Sequence, residues 1–417
     1  MITTEQLLRD PADGSFETSG GEPRRLPVIV MGLLALAIVL ITRLSGPAVD
    51  PELVVEDATP NGLAPATPVA IPTQPPVALL SGEWSPMPAA AISPRTRHTA
   101  TWTGEEMLVF GGQPDPGPVT GARFDPRIAN NGAWLTMATA PLGSRVGHTA
   151  TWTGSELVVV EGAPVGQVAA VAAQSLDGAA YDPATDTWRP IATAPINPRA
   201  GHVAVWTGTE VLVFGGSRVF ERNVPAALYN PDTDTWRLSS DAPLDRGFGL
   251  AAAVWTGSEA VIWMGTGPQD VAAYDPETDI WRQLPGSPFT MRSVSAVWTG
   301  SEMLLLGVPE AGQAQVGGMA LDPAQQRWTI LPPAPRGFSV TVSAVWTGDS
   351  AIVMGGPAEQ PGAMWTPELG RWAPLPPSEH PATSGHTAVW TGEELLVWGG
   401  QGADRPLGSG AVYRPRS

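Results

Sequence analysis

The chain has 417 residues, a formal charge of −17 and neither cysteine nor lysine, so all 23 basic residues are arginine. Without cysteine there are no disulfides, thiolate nucleophiles, cysteine metal sites or lipid-modified cysteine anchor, and without lysine no Schiff-base chemistry. The acidic balance excludes the clustered positive charge that nucleic acid binding needs.

Residues 1–25 are polar and of mixed charge, the composition of a disordered cytoplasmic tail. The segment 26–43 opens with the uncharged run "LPVIVMGLLALAIVLIT", at the short end of what crosses a bilayer as a helix. Arg24 and Arg25 precede it, and Asp50, Glu52, Glu56 and Asp57 follow. The positive-inside tendency then keeps the N-terminus cytoplasmic and puts the rest outside. A cleaved signal peptide is the rival reading. The long polar stretch before the apolar run and the lack of a small-x-small site after it favour an uncleaved signal-anchor. Residues 44–79 carry eight prolines among Ala, Val and Thr, which suits an extended, semi-rigid linker. The Ala, Gly, Pro and Arg bias suits a high-GC bacterial genome, so the expected location is the bacterial cell membrane.

From residue 80 onward the chain repeats. Trp-Thr-Gly occurs seven times, beginning at Trp102, Trp152, Trp206, Trp255, Trp298, Trp346 and Trp390. A second tryptophan follows the first six at Trp134, Trp188, Trp236, Trp281, Trp328 and Trp372, and the seventh partner stands at the start, as Trp84. One unit, Gly201 to Pro243, holds four short β-type runs: Val203 to Trp206, Val211 to Phe214, Ala226 to Tyr229, and a last one carrying Trp236. Between the third and fourth lies Asn230-Pro231-Asp232-Thr233-Asp234, residues that bond their own backbone in turns. Four strands at a period of roughly 45 residues predict propeller blades. A four-stranded blade cannot bury both faces alone, so the array must close. "GEWSPMPAA" from Gly82 matches "TWRPIATAP" from Thr187, and we expect it to complete blade seven beside Tyr413, removing a free sheet edge. The predicted class is all-β: a seven-bladed propeller over residues 80–417, closed by an N-terminal strand.

The repeat resembles the kelch family, whose members form β-propellers of the galactose oxidase-like kind. The resemblance rests on Gly111-Gly112, Gly215-Gly216, Gly355-Gly356 and Gly399-Gly400, on Tyr181, Tyr229, Tyr274 and Tyr413, and on the late tryptophans. Blades one, five and six carry Phe124, Leu321 and Trp365 in place of the tyrosine. The first glycine of the pair is replaced in Glu161-Gly162 and Met264-Gly265. The copper-radical chemistry of galactose oxidase requires a cysteine crosslinked to a tyrosine, so that activity is excluded. No catalytic residue, metal or cofactor is assigned.

Two sets of side chains near the inner strands invite a function. Arg95, Arg145, Arg199, Arg246, Arg292 and Arg336 precede the Trp-Thr-Gly units and would form an anion-binding ring at the channel. Equally, a guanidinium there can bond loop carbonyls. His98, His148, His202 and His386 stand four residues before a tryptophan in blades one, two, three and seven. They would make half the channel imidazole-rich and open to a metal or a general base, although repetition at an equivalent position favours a structural role. The loops between second and third strands vary most. Blade two has the longest, Ala163 to Gly178, and blade three's carries Arg218, Phe220 and Arg222. Variable loops on a rigid scaffold are where specificity resides. The expected function is therefore a membrane-anchored, non-catalytic module that binds a protein or envelope glycan through that face. The alternative is a hydrolase, lyase or epimerase acting on an anionic sugar in the channel, with Glu221, Asp245 and Asp270 as acids.

Overall fold

The computed structural model describes residues 78–416 except 114–120, 130, 165–176, 217–224, 245–250, 266–268, 311–316, 336–337, 339–340 and 381–383. The tail, the 26–43 segment and the linker through residue 77 lie outside the described residues. Among the described residues no helix is long and apolar enough to cross a membrane.

The described residues form seven four-stranded antiparallel sheets. Blade three shows the pattern: His202–Trp206, Val211–Gly215, Pro225–Asn230 and Thr235–Asp241, in that order from the inside outward. The first strand of each blade lies against the first strand of the next around the whole ring. Each second strand is a buried apolar run, such as Leu157–Val160, because neighbouring blades cover both its faces. Seven hydrophobic clusters result, one for each junction between blades.

Closure follows the sequence expectation. Gly82–Pro86 pairs antiparallel with Gly410–Pro415, with Trp84 opposite Tyr413. Both tryptophan series are consumed by the architecture. Each fourth-strand indole Nε1 donates to a carbonyl of the preceding blade at 2.7–3.0 Å, from Trp84 to Pro376 through Trp372 to Pro332. In each Trp-Thr-Gly turn the threonine hydroxyl accepts the backbone N–H three residues on, at 2.9–3.1 Å. The glycine takes φ between +98° and +110°, the left-handed region that only glycine occupies freely.

The Asx-Pro turns are likewise structural. The Tyr229 hydroxyl donates to Asp234 Oδ1 at 2.7 Å, and the same oxygen accepts the Ala192 N–H of the neighbouring blade at 2.9 Å. One segment departs from expectation: the long blade-two loop does not start at Ala163. Ala163–Pro164 instead pairs with Arg145–Val146 as a short ribbon, so the strand pairing continues past the double-glycine position. Residues 165–176 of that loop lie outside the described residues.

Candidate functional site

The arginines before the inner strands are built into the backbone. Arg95 donates from Nε to Ser93 O and from Nη1 to Gly111 O, both at 3.0 Å. Arg145 repeats this on Gly143 O at 3.0 Å and Glu161 O at 2.9 Å, and Arg199 on Asn197 O at 3.1 Å and Gly215 O at 2.9 Å. One guanidinium thus spans the carbonyl two residues back and the carbonyl that ends the second strand. All three side chains are buried, and Arg145 also reaches Asp177 at 3.0 Å. Arg95, Arg145 and Arg199 thus spend their planar forks on backbone carbonyls instead of presenting them to an open channel. Arg292 is exposed on its strand, while Arg246, Arg336, Arg218, Phe220 and Arg222 lie outside the described residues.

The histidines stand in the walls between blades instead of lining the channel, and all four are buried. His98 Nε2 lies 2.8 Å from Thr387 Oγ1, His148 Nε2 3.1 Å from Thr99 Oγ1, and His202 Nε2 2.8 Å from Thr149 Oγ1. Each partner threonine is the residue after the histidine position of the preceding blade, so the contact stitches consecutive inner strands. His386 breaks the series, since blade six offers Ser343, whose hydroxyl goes to His386 O at 3.1 Å. Neither ring nitrogen of His386 has a partner among the described residues. Burial first, and for three of the four the charge of a neighbouring arginine, hold His98, His148 and His202 down at about 3; burial and His380 hold His386 at about 4. All four rings are neutral at pH 7. Among the described residues no group of three His, Asp or Glu side chains is arranged to hold a metal ion.

The inner wall of the channel is chemically quiet. The three residues before each Trp-Thr-Gly are drawn only from Ala, Val, Thr and Ser in all seven blades. Some of the hydroxyls are spent on structure: Thr99 and Thr149 meet imidazoles, and Thr101 donates to Ala150 O at 3.2 Å. Asp270, one of the acids considered from sequence, is fully buried and accepts the Ser287 N–H at 3.0 Å and its hydroxyl at 2.6 Å. It holds a loop and does not face a substrate. Glu221 and Asp245 lie outside the described residues.

One group was passed over. Glu161 occupies the glycine position at the end of blade two's second strand, with φ of +55°. Its carboxyl is sealed between blades two and three at 1% exposure, and neither oxygen has a hydrogen bond among the described residues. Oε2 stands 3.8 Å from Arg199 Nε and 3.5 Å from His202 Nδ1. Burial pushes this carboxyl up to about 8, against the pull of Arg199. With Glu161 protonated and His202 unprotonated at pH 7, the contact joins neutral groups and is not an ion pair. The signal was present in the sequence, as a charged residue where other repeats have glycine.

Glu161→Gly removes a buried carboxyl without a hydrogen bond and a left-handed non-glycine backbone, at the cost of a small void. The expected net gain is about 1–2 kcal/mol in urea unfolding at pH 7. A loss of stability instead would show that the carboxyl holds the two blades together.

Comparison with known proteins agrees with this geometry. The family model described as the KLHDC2/KLHL20/DRC7 Kelch-repeats domain matches residues 98–308. This chain belongs to the kelch-repeat family. Among solved structures, a fungal alcohol oxidase of the AA5 family in complex with copper matches with a TM-score of 0.59 and 14% identity, over 80% of this chain and 76% of that one. At that identity the likeness is one of fold, and the copper belongs to the oxidase. No curated protein matches the chain. Within the kelch pattern, the Gly-to-Glu change at residue 161 is the departure that puts an ionisable group beside the inner strands.

Proposed function

We propose that this kelch chain is a non-catalytic binding or scaffold module. In this reading residues 26–43 anchor it in a bacterial membrane, the linker 44–79 extends outward, and the propeller holds a partner protein or envelope glycan outside the cell. Binding falls to the face carrying the loops between second and third strands. The observation that carries the reading is the neutral, small-residue inner wall, beside which the arginines and histidines already satisfy backbone and threonines. Acid–base catalysis on a sugar needs a carboxylate within reach of the reacting atoms. The alternative, a hydrolase, lyase or epimerase for anionic sugars, rests on Glu161 beside His202, and their side chains are 1% and 0% exposed.

The test is fractionation of cells making the full chain with a C-terminal tag. The expected result is a tag that stays with membranes through an alkaline wash and is clipped by protease added outside. A soluble or protease-protected tag would overturn the anchoring. Crosslinking in the same cells should join the partner to peptides of the loop face.

A further inference from the structure

On the face opposite those loops, the blades are riveted together by arginines. Arg189 pairs with Glu156 at 2.6 and 3.1 Å and crosses to blade three, reaching the Tyr229 hydroxyl at 3.1 Å and Pro231 O at 3.3 Å. Arg237 does the same from Glu210 to the Tyr274 hydroxyl at 3.3 Å and Pro276 O at 3.1 Å. Arg123, supplied by the third strand of blade one, runs from Glu106 to the Tyr181 hydroxyl at 3.4 Å and Pro183 O at 3.0 Å. Arg282 runs from Glu259 to Pro323 O at 3.2 Å. Four consecutive junctions therefore hold a guanidinium in one and the same place.

The junction from blade six to blade seven keeps the acceptor side and lacks the arginine. Ala373 stands opposite Met364 as Arg189 stands opposite Ala180. Ser350 replaces the glutamate, and its hydroxyl turns to Thr366 at 3.0 Å. Tyr413 and Pro415 remain, in the register of Tyr229 and Pro231. The Tyr413 hydroxyl donates to Ser81 O at 3.2 Å and receives no hydrogen bond among the described residues. A groove of about 490 Å³ opens here, lined by Asp349, Ser350, Trp390, Tyr413, Pro415 and Arg416. Arg416 is at the rim, already paired with Glu83. The groove also offers the exposed Asp349, whose Oδ1 accepts the Thr347 hydroxyl at 2.8 Å, and the Trp390 ring for a cation. At the junction from blade seven to blade one, by contrast, Phe124 provides no hydroxyl.

We propose that this groove receives an arginine side chain of a partner polypeptide, its guanidinium taking the place that the chain's own arginines fill at four other junctions. The chain shows by repetition which group fits this niche: a planar donor that bonds a phenol oxygen and a proline carbonyl together. The inference shares the binding reading but not its surface, so losing the loop-face partner would leave it standing.

The test is saturation-transfer NMR of the full chain with N-acetyl-Gly-Arg-Gly-amide. The lysine counterpart at equal concentration controls for attraction to an acidic protein. Transfer to the arginine side chain is expected, with the lysine peptide about tenfold weaker because an ammonium cannot span both acceptors. Ser350→Glu with Ala373→Arg should fill the groove with the chain's own ion pair, abolish transfer and melt no lower than the parent. Tyr413→Phe, which copies blade one's Phe124, should weaken transfer several-fold and gives a second variant if the first does not fold. No transfer, equal transfer to both peptides, or transfer that survives in both variants would overturn the assignment.

Discussion

Stability is expected to fall steeply as the pH drops below about 6.5, long before ordinary carboxylates titrate. His98, His148 and His202 are neutral in the fold down to about 3 and His386 down to about 4, whereas the unfolded chain protonates them near 6.5. The sign follows from which state binds more protons. Between the unfolded and folded values only the unfolded chain gains them, so each histidine's contribution is complete above 6.5 and is lost as the pH falls. Each can cost as much as about 1.4 kcal/mol per pH unit, and four together about 5. Against a typical stability of about 5–15 kcal/mol, the propeller should unfold between roughly pH 5.5 and 3.5. Carboxylates held low by hydrogen bonds, such as Asp182 and Asp275, add to the loss only below their ordinary value of 3.8. Glu161 acts in the other direction. Its raised folded value means that stability declines as the pH climbs from 4.5 towards about 8.

Urea unfolding at pH 7.5, 6.0 and 5.0 measures the slope, and His386→Val separates the cause. Blades five and six already carry Val294 and Val342 at that position, and His386 makes no ring hydrogen bond that the change would remove. The variant should be at least as stable at pH 7.5 and should take up about one proton fewer on unfolding between pH 6.0 and 5.0. A flat profile, or an unchanged slope in the variant, would mean that these rings take up protons inside the fold.

The second large effect concerns the ring closure. Trp84 joins both ends of the propeller: its Nε1 donates to Pro376 O at 3.0 Å, and its ring stands 5.1 Å from Tyr413. Truncating a fully buried tryptophan typically costs about 3–5 kcal/mol; Trp84 is half-buried, so Trp84→Ala should lower stability by the lower end of that range or somewhat less. Deleting residues 78–90 should do more, because it strips the strand paired with Gly410–Pro415 and leaves that edge open at the C-terminus. Light scattering after gel filtration should show oligomers for the deletion and monomer for the parent. A monomeric deletion variant with unchanged melting would mean that three strands suffice for blade seven.

How far the sequence carries differs between fold and site. The two tryptophan series announce seven blades and a displaced strand because the fourth-strand indoles all make the same bond to the preceding blade and the inner-strand tryptophans pack into the junction clusters. The arginines were legible as a group but not in direction. Whether a guanidinium faces the channel or a carbonyl depends on the bend that brings Ser93 O and Gly111 O within 3.0 Å of Arg95, which composition and spacing do not encode. For the histidines, repetition pointed to a structural role, but not to the direction of the ring. A position four residues before an inner-strand tryptophan sounds channel-facing, yet its ring turns sideways to the threonine of the preceding blade. Glu161 and the empty arginine niche at Ala373 are visible only as departures from the repeat, and neither means anything until the neighbouring blades supply what the departure faces.

The proposal tested most directly is that the propeller binds its partner without converting it. Full-length protein should be incubated with anionic oligosaccharides and cell-wall fragments while its melting temperature and the glycan products are followed together. Glycan consumption is not expected, and any shift in melting should be indifferent to Glu161→Gln. Steady conversion of one glycan, abolished by Glu161→Gln in a protein that still melts normally, would contradict the account and make the sealed Glu161–His202 pair an active site.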